Sequence, residues 1–136
     1  MPDVTLVAID EMESFYDGLA RRARAALGVT AWGMQVMTLP PHWEGYAHSH
    51  DGSTPEPGQE EVYIPLHGSA ELVTGEARFE LRPGLMARVG PNEERRIVSG
   101  ADGVRFIALG GVPGKAYSAL PWTELGGPVP ELPGDE

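Results

Sequence analysis

His48-Ser49-His50 is the stretch of this sequence with the most chemical content. In an extended strand, residues i and i+2 project to the same face, so two imidazoles spaced this way can share one cation. Alone, a His-x-His is common on protein surfaces. It gains weight from Glu61, which opens the next β-prone run, Glu61 to Leu66. Two imidazoles and a carboxylate form a facial triad suited to a divalent transition metal (Fe, Mn, Ni, Zn or Cu), with positions left open for water, substrate or dioxygen. Such an ion would also polarise a bound oxygen as a Lewis acid. Tyr63 lies two residues past Glu61 and shares its face, so its hydroxyl is expected to line the same cavity as a proton donor or substrate partner. A plain core tyrosine is the equal alternative. His42 follows Pro40-Pro41, and His67 falls on the face opposite Glu61; both are expected at the surface. Glu60 and Glu61 are adjacent and point to opposite faces, so they do not form a catalytic carboxylate pair.

These side chains need a framework, and the punctuation of the chain predicts one. From Thr30 onward, short β-prone runs alternate with Gly, Pro and Asp: Thr30 to Leu39, Glu44 to His50, Glu61 to Leu66, Ala70 to Thr74, Ala77 to Leu81, Leu85 to Val89, Arg95 to Ser99 and Val104 to Leu109. Many short, evenly spaced strands predict an all-β antiparallel sandwich or barrel. No strand–helix alternation argues for a parallel sheet. Trp32, Met34, Val36, Met37, Met86, Phe106 and Ala108 are candidates for its apolar walls.

Ahead of the strands, Val4 to Ile9 reads as an edge strand. Asp10 and Glu13 then form a capping-box pattern. Met12, Phe15, Leu19, Ala23 and Ala26 recur at helical spacing up to Gly28, a C-cap candidate. One N-terminal α-helix is therefore expected, with Arg21, Arg22 and Arg24 solvated at its end. Gly18 weakens it by about 1 kcal/mol. Behind the strands, Gly110 to Lys115 leads out of the barrel into a Pro/Gly-rich arm, where Trp122 is the expected anchor among Leu120, Leu125, Val129 and Leu132. The expected division is 1–29 (strand and helix), 30–112 (barrel) and 113–136 (extended C-terminal arm).

A length of 136 residues suits one domain. No run of about 18 apolar residues predicts a membrane span, and no basic, then apolar, leader opens the sequence. Cysteine is absent, which excludes disulfides and thiolate ligands and fits a cytoplasmic setting. A net charge of −10 repels phosphate backbones, so nucleic acid is a poor partner.

With these pieces in place, the chain resembles the cupin superfamily over roughly residues 30 to 112. The family's first motif reads G, five residues, H-x-H, three or four residues, E, six residues, G. His48 and His50 fit the H-x-H, and Glu61 and Gly68 fit the second half. Gly45 stands only two residues before His48, and ten residues separate His50 from Glu61. That longer gap is turn-rich, from Asp51 to Gln59, and is expected to loop out. The second motif reads G, five residues, P-x-G, two residues, H, three residues, N. Begun at Gly84, it places Gly90-Pro91-Asn92 on the P-x-G, Arg95 on the histidine and Ser99 on the asparagine.

The resemblance implies a double-stranded β-helix, or jelly-roll barrel, with His48, His50 and Glu61 as metal ligands. It implies a small-molecule substrate, oxidative or isomerising chemistry, and a homodimer. The family's fourth ligand is replaced by Arg95. If Arg95 points inward, it is expected either to position an anionic substrate beside Tyr63 or to pair with Glu61 and take the metal's place. Strand alternation lets only one of Arg95 and Arg96 face inward. A metal-free binding module and a scaffold with a vestigial site are the competing functions.

Overall fold

The computed structural model describes residues 2–45, 47–51 and 57–130. Seven strands and one helix are found among them: β1 (Ser14–Phe15), β2 (Ala20–Arg21), α1 (Ala23–Leu27), β3 (Gly33–Leu39), β4 (Glu60–Thr74), β5 (Ala77–Leu81), β6 (Ala87–Val89) and β7 (Arg96–Gly111). All pairings are antiparallel, in the order β1-β2-β3-β7-β4-β5, with β6 also on β4. This is the expected all-β barrel with one short helix.

Two long strands organise the barrel. The first half of β4 pairs with the second half of β7, Glu61 opposite Gly110 and Tyr63 opposite Ala108. The second half of β4 pairs with the start of β7, Ala70 opposite Ser99 and Leu72 opposite Ile97. The register shifts between Gly68 and Ala70, so each strand bends and serves both halves of the barrel. Alternation then sorts the side chains. Glu61, Tyr63, Ala70 and Leu72 of β4, and Ile97, Ser99, Val104 and Phe106 of β7, are buried. The core formed by Leu39, Tyr63, Leu72, Leu81, Val89, Ile97, Val104 and Phe106 fills the barrel. A smaller cluster of Met12, Ala23 and Val36 lies on the other face of β3.

The bend depends on Gly68. Its φ is +78°, and a Cβ there would run into the carbonyl of Gly103 in the facing strand. The positive φ alone costs a non-glycine residue about 1–3 kcal/mol, and the clash adds to it. Gly68→Ala is expected to destabilise the protein by about 3 kcal/mol in urea unfolding. A loss under about 1 kcal/mol would show that the bend does not need this glycine.

The sequence reading differs from the structure in several places. The helix expected across residues 10–28 is confined to Ala23–Leu27. Before it, Ile9–Glu11 makes a 3-10 turn, and Ser14–Phe15 and Ala20–Arg21 form a small hairpin on the edge of β3. Tyr16, Asp17 and Gly18 form the turn with φ of 54°, 60° and 86°. Phe15, Ala20 and Ala23 are buried in this arrangement as well, so helical spacing did not distinguish it from a helix. Gly28 is the left-handed C-cap. Asp10 and Glu13 cap nothing: Asp10 pairs with Arg105 at 2.8 Å, and Glu13 pairs with Arg22.

Arg22 and Arg24 are buried rather than solvated, at 3% and 6% exposure. The strand expected from Glu44 to His50 is not formed by its described residues, which touch the barrel edge through bridges Glu44–Val98 and His48–Arg95. Val4 is exposed outside any strand. The middle of the expected 51–59 loop (52–56) and Leu132 of the arm lie outside the described residues.

Candidate metal centre

Glu61 and Tyr63 reach the interior because they occupy alternate positions on β4. His48 and His50 come from the segment opposite Arg95. The amide of His48 donates to Arg95 O and that of Arg95 to His48 O, both at 2.9 Å. The His50 amide donates to Pro91 O at 2.7 Å, and the Gly58 amide donates to His50 O at 2.6 Å. Both ends of the loop between His50 and Glu61 are thereby tied down.

Four side chains meet at one oxygen, Glu61 Oε1. The Nε2 atoms of His48 and His50 lie 3.4 and 3.0 Å from it. The Tyr63 hydroxyl donates to it at 2.9 Å, and Arg95 Nη2 donates to it at 2.8 Å. Arg95 Nε also donates to the Tyr63 oxygen at 3.3 Å, and Nη1 donates to Glu93 O at 2.8 Å. The Arg95 side chain is fully buried, His50 nearly so, while His48 is 41% exposed.

This environment sets the protonation states. Burial works to raise the Glu61 carboxyl, but hydrogen bonds and charge from His48 and His50 outweigh it and hold the group below its ordinary value of 4.5. A carboxylate lowered in the folded state stabilises the fold fully above that ordinary value. The contribution is lost as pH falls toward the folded value. Burial, then the charge of Glu61, raises the Tyr63 hydroxyl above its ordinary 10.0 against the opposing charge of Arg95. Tyr63 is therefore a protonated donor at neutral pH.

The donor set fits a divalent transition metal. One atom from each of His48, His50 and Glu61 lies within 4.8 Å of the others. Neighbouring ligands at about 2.1 Å from an ion stand roughly 3.0–3.4 Å apart, which matches the two His–Glu distances. Arg95 is the opposing feature. Its permanent charge sits on the oxygen that a metal would use, so binding must compete with an ion pair.

A cavity of about 270 Å³ adjoins the cluster. Its walls include Met37, Leu39, Trp43, Ile97, Phe106 and Ala108, with the amides of Gln35 and Gln59. Phe106 packs edge-on against Tyr63, centroids 5.6 Å apart. Of the expected wall residues, Met34, Met37, Phe106 and Ala108 line it. Trp32 and Met86 are exposed at 45% and 71%, and Val36 is buried on the far face of β3. His42 and His67 are exposed, as are Glu93 and Glu94. Arg96 turns outward toward Glu44 at 3.6 Å. Ser99 serves the scaffold: it donates to Pro40 O at 2.5 Å and accepts from the Trp43 amide at 2.7 Å.

Gln59 went unnoticed in the sequence although it stands two residues before Glu61, on the same face. Its amide lies against Gly110, where a Cβ would meet it at 2.5 Å. Trp43, Tyr117 and Trp122 gave no periodic signal and were not expected in the wall.

No family model matches the sequence, and no curated protein matches it. Solved structures do, and the barrel they share with this chain is the cupin fold. The chain therefore has the cupin fold. A cupin protein from Bacteroides fragilis is 20% identical with a TM-score of 0.63, over 88% of this chain and 93% of that one. A Klebsiella pneumoniae protein with a double-stranded β-helix domain is 21% identical with a TM-score of 0.61, over 85% and 95%. A Thermotoga maritima protein, described as a predicted oxalate decarboxylase, is 20% identical with a TM-score of 0.53, over 65% and 73%.

Proposed function

We propose that the protein binds a divalent transition metal through His48, His50 and Glu61 and acts on a small organic molecule in the adjoining cavity. The observation that carries this reading is the convergence of three ligand atoms, within 4.8 Å of one another, beside a chamber of about 270 Å³. When bound, the metal supplies Lewis-acid or redox chemistry. The chain's own residues do the rest. His50 and Glu61 are largely buried in the wall, while His48 stays half open toward solvent. Tyr63 keeps its proton and offers it beside Glu61 Oε1. Arg95 touches Glu61, Tyr63 and backbone, so it works as a positioning residue that fixes the carboxylate.

The volume lies just below the usual span of about 300–1,000 Å³ for ligand pockets, which favours a compact substrate. Oxidation and isomerisation are the reaction classes to test, on a small anionic molecule drawn to the metal's charge. The Thermotoga protein's description adds an organic acid to the candidates. A homodimer in the cytoplasm belongs to the same proposal, supported by the open edge strands β1 and β5.

Metal analysis of protein purified without an affinity tag tests the reading. About one equivalent of Fe, Mn, Ni, Zn or Cu is expected, and His50→Ala should lose it, because a two-ligand remnant binds such ions weakly. No uptake after reconstitution would end the metal reading. It would leave the second one, favoured by the Arg95–Glu61 pair: a metal-free module that binds a small molecule. Thermal shift with candidate ligands would then report binding.

A further inference from the structure

The arm after β7 forms part of the cavity. Trp122 and Thr123 lie in the 3-10 turn Pro121–Thr123 and, with Tyr117, line its wall. This segment is fastened by buried charges. Arg22 Nη2 donates to Gly127 O at 3.0 Å and Pro128 O at 3.1 Å. Arg24 Nη2 pairs with Glu124 Oε1 at 3.0 Å. The Glu13 carboxylate accepts from the Gly126 amide at 2.8 Å and pairs with Arg22.

The aromatic rings are seated as well. Trp122 stands edge-on to Phe15, centroids 6.2 Å apart. Tyr117 lies over Gly33, where a Cβ would come within 3.3 Å of the ring. Two buried guanidiniums that each place one nitrogen on this turn make the loop a built wall rather than a loose tail.

Polar groups in the chamber are gathered around Glu61 Oε1, apart from the Gln35 and Gln59 side chains, the Tyr117 hydroxyl and Thr123. Much of the remaining wall is aromatic or aliphatic, with Trp43, Phe106, Met37 and Trp122 among its members. We propose that Trp122 is a specificity-determining residue, and that the cavity accepts a compact molecule with a flat apolar body and one oxygen-bearing end. A short hydrophilic diacid would leave the aromatic wall unfilled. The assignment of the oxygen-bearing end rests on the metal reading above; that of the flat body does not.

The test uses benzoate and malonate on zinc-loaded protein and phenol on metal-free protein, by calorimetry or ligand-observed NMR. Benzoate should bind about tenfold more tightly than malonate. Trp122→Ala should weaken both benzoate and phenol by about tenfold, the scale of one lost aromatic contact with its buried area. Zinc stoichiometry should not change. Trp122→Phe, which keeps a ring in place, should retain most of the affinity and guards against a folding defect in the alanine variant. Malonate binding at least as well as benzoate, no binding of either ring compound, or an unchanged Trp122→Ala variant would overturn the proposal. Failure to take up zinc would instead defeat the metal reading, and the phenol comparison would still decide the role of Trp122.

Discussion

Exchanging Glu61 for alanine in metal-free protein is expected to lower the free energy of unfolding by about 3–5 kcal/mol, a large part of the roughly 5–15 kcal/mol available to a domain. The reason is what remains behind. Among the described residues Arg95 is the largest fully buried side chain, and its guanidinium cannot shed its charge. Glu61 Oε1 accepts from it at 2.8 Å and from Tyr63 at 2.9 Å. Without that oxygen, a buried cation and a phenol lose the acceptor they share. Adding Arg95→Met to the alanine variant should return most of the loss, because a neutral side chain of similar length asks for no partner. Urea unfolding of the wild type, the Glu61→Ala and Arg95→Met single variants and the double variant, with metal removed by chelator so that ligand binding adds nothing, measures the coupling. A Glu61→Ala loss below about 1 kcal/mol, or no recovery in the double variant, would mean that the pair is solvated in practice. The hydrogen bonds and charge of His48 and His50, which hold the Glu61 carboxyl below its ordinary value against burial, predict resistance to mild acid, since ionised Glu61 keeps stabilising the fold as pH falls to the ordinary carboxylate range.

Much of this centre was legible because it depends on short-range geometry. Glu61 and Tyr63 are two apart on β4, and strand alternation puts them on one face; His48 and His50 reach the same oxygen from a segment whose described residues form no strand. The same rule requires Arg95 and Arg96 to face opposite ways, without deciding which of them turns inward. What alternation does not reveal is a change of register. Leu66 to Ser69 interrupt the pattern of β4, so one bent strand read as two shorter runs; the positive φ of Gly68 is a tertiary requirement set by Gly103. The N-terminal segment misled for a related reason. Met12, Phe15, Leu19 and Ala23 keep a helical rhythm, yet the sheet edge at β3 offered Ala20 and Arg21 backbone partners that a helix did not need. The arm was hardest to read. Its anchors, Arg22 and Arg24, lie about a hundred residues away, and the sequence treats a buried arginine and a solvated one alike.

Arg95→His is expected to raise the affinity for zinc or nickel by about 10–100-fold, the scale on which groups around a metal tune its binding. Position 95 is bridged to His48 by reciprocal backbone hydrogen bonds of 2.9 Å, so the two residues face one another across an antiparallel pair. Side chains in such a pair have Cβ atoms about 4.5–5.5 Å apart. An imidazole at 95 would thus stand next to that of His48, as a further nitrogen donor where the cupin resemblance places one. The exchange also removes the positive charge that now occupies Glu61 Oε1 at 2.8 Å and competes with any cation for it. Arg95→Lys separates these contributions: it keeps the charge but not the forked contacts to Glu61 and Tyr63, and should show no such gain. Competition against a chelator of known affinity gives the numbers for all three proteins. Equal or weaker binding by the histidine variant would show that Arg95 does not oppose the metal, and that the cluster around Glu61 is complete with its arginine.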